Sequence, residues 1–385
     1  MRQFFEKYVL PHLPFLICSM LLGILIAIPT GYEDAVIYQE TDRCRAEVLS
    51  TDETNVITSG LIRSGEQDCV VKLLGGKFKG QEVSAYNLLS GSLESDKIYN
   101  EGDVALVVIS YVDDSILSVN MIDHYRLDKE VILVVIFSIV LVVFAKGIGV
   151  RSLLSFAIAV LSIWKILIPN CLNGANPILV GLIIVTVLTV VIISLVYGYD
   201  RRFLSATAGV ILGVITTCIL GIIFTTQFKI HGAVMSYSES LLYAGYQHLN
   251  LTQIFMASVF IGASGAIMDI AVDITSAVNE VVEKKNDISV QEAIMSGIHV
   301  GRAAMGTMST TLLFAYSGGY LALLMTFMAQ GTPISNILNY KYVASEILHT
   351  IIGSFGLISV APFTALMSGI LLVKKNNRKS NEKTA

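Results

Sequence analysis

Charge is scarce in this chain: 15% of its 385 residues are Asp, Glu, Lys or Arg, against 54% apolar. Soluble domains carry roughly 25% charged residues, so a water-soluble globule is excluded for most of the length. Basic residues number 26 against 30 acids, for a net charge of −4. No Lys/Arg stripe exists to neutralise phosphates, which sets nucleic acid aside as a partner. The five cysteines form no CxxC pair and no Cys/His finger spacing, so no metal and no cofactor is expected. A GxxxxGK phosphate loop and an HExxH helix are also lacking. That removes an ATP motor and the commonest zinc protease, and no catalytic residues are assigned.

What the sequence has instead is apolar runs, with a mean hydropathy of +0.69. A run of about 20 apolar residues spans a hydrocarbon core of about 30 Å at about 1.5 Å per residue. Such runs are read at 13–28, 131–145, 152–168, 177–197, 203–225, 252–273, 304–328 and 347–373. They predict a polytopic all-α membrane bundle of about eight transmembrane helices, with the lipid bilayer as its first partner. The first run is longer than a signal-peptide core and ends at Pro29, a poor cleavage site, so residues 1–30 read as an uncleaved signal anchor.

Residues 31–129 change character and hold most of the acids. Short β-branched or alternating runs such as Ala46–Leu49, Val70–Leu74 and Val104–Val108 are punctuated by Gly75-Gly76, Gly91-Ser92 and Glu101-Gly102-Asp103. This predicts a small inserted β-rich domain, a barrel or sandwich of five to seven strands. The expected organisation is therefore anchor 1–30, β-domain 31–129, seven-helix domain 130–373 and basic tail 374–385. Cys44 and Cys69 both fall in the β-domain. If that domain is extracytoplasmic, they are either a disulfide pair or two free thiols.

Alternating the spans from an inner N-terminus puts Arg2, Lys7, Lys146, Arg151, Arg201, Arg202, Lys284, Lys285, Arg302 and the tail bases on one side, with Lys229 and Lys341 on the other. The positive-inside rule then predicts cytoplasmic termini and an extracytoplasmic 31–129. Trp164, the only tryptophan, falls near the outer end of its span, where an interfacial anchor belongs. His231–Asn250 and Ile334–Tyr342 mix apolar and polar residues and read either as re-entrant or interfacial helices or as surface loops.

The strongest polar anomaly is Asp269 with Asp273, one helical turn apart on a shared face near the inner end of the sixth span. An acid near the bilayer centre costs about 2.5–3.5 kcal/mol and needs a partner, a proton or a hydrated cavity. Arg302 is the candidate charge partner. Ser264, Thr307, Ser309 and Thr310 are candidates to line a path or ligate an ion, and Glu346 and His349 to receive a proton or cation at the outer end of the last span. Gly262, Gly265, Gly301, Gly306, Gly318 and Gly319 are candidates for close helix packing or for lining the path. The plainer alternatives are a solvated helix end for Asp273, an inner-surface anchor for Arg302 and ordinary interhelical bonding for the threonines. Gly262-Ala-Ser264-Gly265 also resembles the nucleophile motif of rhomboid intramembrane proteases, which would need a base such as His349 beside Ser264.

Three separated motifs run in order: Gly262-Ala-Ser-Gly-Ala-Ile-Met-Asp269 with Ser276-Ala-Val-Asn279-Glu280, then Gly301-Arg302 with Met305-Gly306-Thr307-Met308-Ser309, then Ala315-Tyr316-Ser317-Gly318-Gly319. The polar domain adds Gly76-Lys77-Phe78-Lys79-Gly80, Asn87, Tyr99-Asn-Glu-Gly102-Asp103 and Tyr125-Arg126. Over nearly the whole chain this resembles the YibE/YibF-like family of bacterial multipass membrane proteins. Asp273 departs from the pattern, which leads us to expect a small hydroxyl there. The resemblance implies a bacterial plasma membrane and no particular reaction. The leading functional expectation is a transporter or permease-like protein moving an ion or small solute, coupled through Asp269. The alternative is a non-transporting sensor, docking or assembly protein acting through its β-domain on an envelope protein or a second membrane subunit. An intramembrane hydrolase is a third.

Overall fold

The computed structural model describes residues 12–33, 41–285 and 287–383, with only the backbone described from 374 to 383. Arg2 and Lys7 lie outside the described residues, as do the side chains of the basic tail. The chain divides into two compact units, residues 31–144 and residues 1–30 with 145–385.

The first unit holds six strands: β1 (Thr41–Asp52), β2 (Val56–Ser59), β3 (Ile62–Leu73), β4 (Glu82–Ser90), β5 (Val104–Val112) and β6 (Ser115–His124). Alternation sends every second side chain inward, as Cys44, Ala46 and Val48 on β1 and Ala105, Val107 and Ile109 on β5. β1 pairs with both β5 and β3, β3 with β4, β4 with β6 and β6 with β5, which closes a five-stranded barrel. β2 is an excursion that pairs on β3 alone. The barrel strands thus run 1-2-3-5-4-1 around the ring with the third and fifth parallel, the Greek-key arrangement of OB-type barrels. Gly65 is required where β2 meets β3: its φ is +115°, and a Cβ there would collide with the Asn55 carbonyl.

The barrel register overturns the disulfide pairing. Cys69 on β3 lies opposite Thr51 of β1, seven residues along that strand from Cys44. At about 3.3 Å per residue the two thiols are roughly 20 Å apart, whereas a disulfide needs Cα atoms within about 7 Å. Both are buried free thiols.

The second unit is helical. α1 is Leu13–Ala27, α2 Leu127–Ser162 (which begins in the first unit), α3 Ile168–Leu172, α4 Pro177–Tyr197, α5 Arg201–Gln227, α6 Ser238–Tyr243, α7 Leu251–Lys284, α8 Val290–Ser317, α9 Leu321–Ala329, α10 Ile334–Asn339 and α11 Lys341–Lys383. Caps set the starts. Asn176 accepts from Ile178 and Leu179 ahead of α4, and Asp200 from Arg202 and Phe203 ahead of α5. Ser289 and Glu292 form a reciprocal capping box on α8. Among the described residues, six helical stretches are long and apolar enough to cross a membrane, and α1 is a shorter apolar helix of 15 residues. The runs read separately at 131–145 and 152–168 lie on either side of Lys146, where the backbone leaves helical geometry (φ 49°, ψ −126°), so the stretch Leu127–Leu172 is two helical segments divided by a sharp break. The His231–Asn250 and Ile334–Tyr342 segments hold only a 3₁₀ turn and two six-residue helices, each about 9 Å long and too short to re-enter a bilayer.

The core of the bundle is α5, α7 and α11. Glycines let these helices approach closely. A Cβ on Gly209 would collide with Thr364, and one on Gly213 would stand 3.0 Å from Val360 and 3.2 Å from Ile267. Because Gly213 is near the middle of α5, Ile267 marks the mid-height of the bundle.

Candidate functional site

Asp269 is two residues beyond Ile267 on α7 and so stands within about one turn of mid-height. Gly262, Gly265, Asp269, Asp273 and Ser276 recur every three or four residues along α7 and form one stripe, and all five are exposed. The helices α4 and α8 flank it. On the α4 side, Gly181 packs against Phe260 and Ile261, and the Tyr197 hydroxyl lies 2.7 Å from the Val272 carbonyl and 2.7 Å from Ser276 Oγ. On the α8 side, Gly301 packs against Ile274, and Gly297 against Val278. The stripe is an open face between the two flanking helices.

At its lower end the Arg202 guanidinium lies over the Tyr197 ring at 5.1 Å and pairs with Asp200 at 2.7 Å. At its upper end the Tyr316 and His349 rings stack, with centroids 4.2 Å apart. Tyr316 Oη and His349 Nε2 lie 2.8 and 3.2 Å from the point where a Cβ on Gly262 would stand. Among the described residues neither atom has a hydrogen-bond partner, and neither has the buried Glu346 Oε1. Glu346 faces a cavity of about 180 Å³ between α8 and α11, lined also by Ser317, Tyr320 and Thr350.

Several expected contacts do not form. Arg302 is exposed, and among the described residues no ion pair or hydrogen bond joins it to Asp269 or Asp273. It sits on the open side of α8, whose buried side, Ala293, Gly297 and Gly301, is what meets α7. Ser264 cannot pair with His349: two residues turn a helix by about 200°, so Ser264 points away from Gly262, where His349 lies. Its hydroxyl donates to Ile261 O at 2.7 Å. Thr307 and Thr310 are exposed and donate back to Ala304 O and Gly306 O, and Ser309 is half-buried on the same helix. Gly262 and Gly301 are close-packing positions, whereas Gly265, Gly306, Gly318 and Gly319 face open space.

Tyr316 is the residue that the reading of single charges passed over, although it sits in the quoted Ala315–Gly319 motif. No group of three or more His, Cys, Asp or Glu side chains is placed to hold a metal among the described residues. The stripe offers carboxylates for a proton or cation, and its upper end offers an uncharged donor and acceptor.

No curated protein and no solved structure matches the chain. A family model described as YibE/F-like protein matches residues 133–374, well over half of the chain. The match starts after the barrel, so the likeness of the polar domain is not part of it. It takes in the stripe, Arg302, Tyr316, Glu346 and His349. The chain is a membrane protein of the YibE/F-like family.

Proposed function

We propose that the protein is a permease-like carrier of an ion or small solute in a bacterial plasma membrane, with Asp269 as the group that binds the coupling proton or cation. The observation that carries this reading is a carboxylate at the mid-height of an apolar bundle, with no counter-ion among the described residues, on an exposed stripe of small and polar residues. An intramembrane acid of that kind is functional by default, because hydrocarbon penalises it by about 2.5–3.5 kcal/mol and a purely structural role offers nothing in return. Asp273, Ser276 and Tyr197 continue the path downward. The orientation has both termini and the 285–289 connection cytoplasmic and residues 31–129 outside. In that arrangement Lys146 is a turning point, and the chain crosses eight times.

The test is flux of a panel of ions and small solutes in proteoliposomes, with and without a pH gradient. Gradient-dependent flux should vanish in Asp269→Asn while the variant still purifies as a folded species. Unchanged flux in that variant would remove Asp269 from the mechanism.

A second reading is docking or sensing through the barrel. It draws support from the apolar side chains exposed around the β2–β3 hairpin and β4, Ile57 at 70%, Leu61 at 83% and Leu88 at 77% exposure. Deleting residues 31–129 separates the two readings, since a carrier keeps its flux and a docking protein loses its role.

A further inference from the structure

Two faces of the bundle carry charge that the described residues leave unpaired. One is the α7 stripe, with Asp269 and Asp273. The other is the open side of α8, where Arg302, Gly306 and Thr310 follow one another at four-residue spacing and all three are exposed. Among the described residues Arg302 forms no ion pair. Lipid tails supply a counter-ion to neither face. Both faces also hold a bare glycine, since a Cβ on Gly265 or on Gly306 would meet nothing within 4 Å.

The two faces match in depth, rung by rung. Gly297 of α8 packs against Val278 of α7, and Gly301 against Ile274, so the helices run antiparallel in a fixed register. That register sets Arg302 level with Asp273, Gly306 with Asp269 and Thr310 with Gly265. Arg302 offers Asp273 a counter-ion, Gly306 leaves space for the Asp269 side chain, and Gly265 leaves space for Thr310. Within one chain the faces do not meet: at equal depth on adjoining helices, Arg302 and Asp273 form no ion pair. A second copy removes that obstacle. Every copy inserts with the same topology, and a rotation axis along the bilayer normal keeps each residue at its own depth. Four-residue spacing on both faces is the pattern that lets small-residue helices cross closely.

We propose that the open side of α8 docks on the α7 stripe of a second copy of this chain, with Arg302 of one copy paired to Asp273 of the next. The contact joins two different surfaces, so the copies link head to tail, the kind of contact that closes into a ring. Asp269 then lies against the bare Cα of a neighbouring Gly306, covered from lipid but given no counter-ion. This interface does not depend on coupling at Asp269 and is read without any measurement of flux.

The experiment co-expresses two differently tagged full-length chains in one membrane, one with Gly265→Cys and the other with Thr310→Cys, and measures the disulfide that joins them after mild oxidation. Facing rungs bring the two Cα atoms within the roughly 7 Å that a disulfide needs, so the mixed dimer should form in high yield. Met295→Cys in place of Thr310→Cys is the control: Met295 is exposed two turns from Arg302 on the same side of α8 but roughly 22 Å from Thr310 in depth, and it should give background. Arg302→Glu in both chains sets like charges against each other and should lower the yield at least about tenfold. Adding Asp273→Lys to both chains should restore it. Where a reversed chain proves unstable, Gly306→Leu decides, since its side chain enters open space in the single subunit and should bring the yield to background. A yield no higher than with Met295→Cys, one unmoved by Arg302→Glu or by Gly306→Leu, or one that Asp273→Lys fails to restore would overturn the proposal and leave both faces to lipid.

Discussion

In the barrel, Gln67 is fully buried and both ends of its amide are bonded: Nε2 donates to Tyr99 O at 2.8 Å, and Oε1 accepts from Tyr99 N at 3.1 Å and from Asn87 Nδ2 at 3.0 Å. In the bundle, His349 is stacked on Tyr316 and walled by Phe255, yet its Nε2, packed against Gly262, has no hydrogen-bond partner among the described residues. The two regions place polar groups inside for different ends. A satisfied network fixes one geometry, here the docking of the loop around Tyr99 between the strands. An unsatisfied one, packed against the bare Cα of a glycine, leaves polar atoms for which the described residues supply no partner. The barrel is not wholly free of orphans, since the Tyr99 hydroxyl has no partner among the described residues, but Tyr99 is packed in the barrel core.

The largest effect that sharpens the contrast is expected inside the bundle, at its tight side. Gly209→Leu must drive a branched side chain into Thr364 on α11, and neither backbone can yield at a helix crossing this close. Loss of the folded, monodisperse species is the expected result, a cost above about 4 kcal/mol. Gly306→Ala, on the open side of α8, should stay within about 0.5 kcal/mol by thermal melting in detergent. Equal tolerance at both positions would erase the distinction between packed core and open stripe.

The next effect belongs to the barrel. Gln67→Ala strips partners from the Tyr99 amide, the Tyr99 carbonyl and Asn87, and each orphaned buried group costs about 1–3 kcal/mol. Urea unfolding of the 31–129 segment, which should fold alone as a β-rich unit by circular dichroism, should report a loss of roughly 3 kcal/mol or more. Tyr99→Phe removes only the unpartnered hydroxyl and should be neutral or stabilising. A larger loss in Tyr99→Phe than in Gln67→Ala would mean that the network is not what holds the loop.

A smaller effect depends on pH. Burial pushes the Cys69 thiol from its ordinary 9.0 up to about 11, with Asp68 adding to the shift, and Cys44 is raised by burial in the same direction. A group whose folded pKa is raised contributes stability that is fully present below its unfolded value and is lost as pH rises through the folded one. The Cys69 contribution is therefore intact below pH 9 and disappears by about pH 11, a change of roughly 2–3 kcal/mol. Subtracting the pH profile of Cys69→Ala from that of the native barrel isolates this slope. A flat difference refutes it. Reductant should change neither profile, because the thiols at 44 and 69 are too far apart to bridge.

Much of this architecture is written in local sequence. Asn176-Pro177, Asp200 and Ser289 through Glu292 announce helix starts, and the alternation in β4 and β5 announces strands. The barrel closure is less visible, since the pairing of β1 with both β3 and β5 joins residues far apart in the chain. Lys146 is legible too: hydropathy divides the chain there, and the backbone leaves helical geometry at that residue. In the site, Asp269 stands out by hydropathy alone. The stacking of Tyr316 on His349 does not, because it depends on α8 and α11 meeting beside Gly262, and no periodicity encodes which helices become neighbours. The Arg302 pairing failed for the same reason: opposite charges at similar height were legible, but the side of α8 they occupy was not.

The smallest expected effect concerns that failed pair and decides whether the stripe is autonomous. If Arg302 neutralised Asp269, removing the arginine alone would strand a buried acid and be strongly destabilising, and removing both would recover much of the loss. With Arg302 exposed on the open side of α8 and bonded to neither acid, the two substitutions should act separately. Arg302→Gln should cost little in melting temperature, Asp269→Asn should cost nothing or raise it, and the double variant should match their sum within about 0.3–0.5 kcal/mol, as uncoupled sites do. An interaction energy above about 1 kcal/mol in this cycle would return Arg302 to the site as the counter-ion of Asp269. The stripe would then be a closed ion pair like the polar network of the barrel, rather than an open site for a coupling ion.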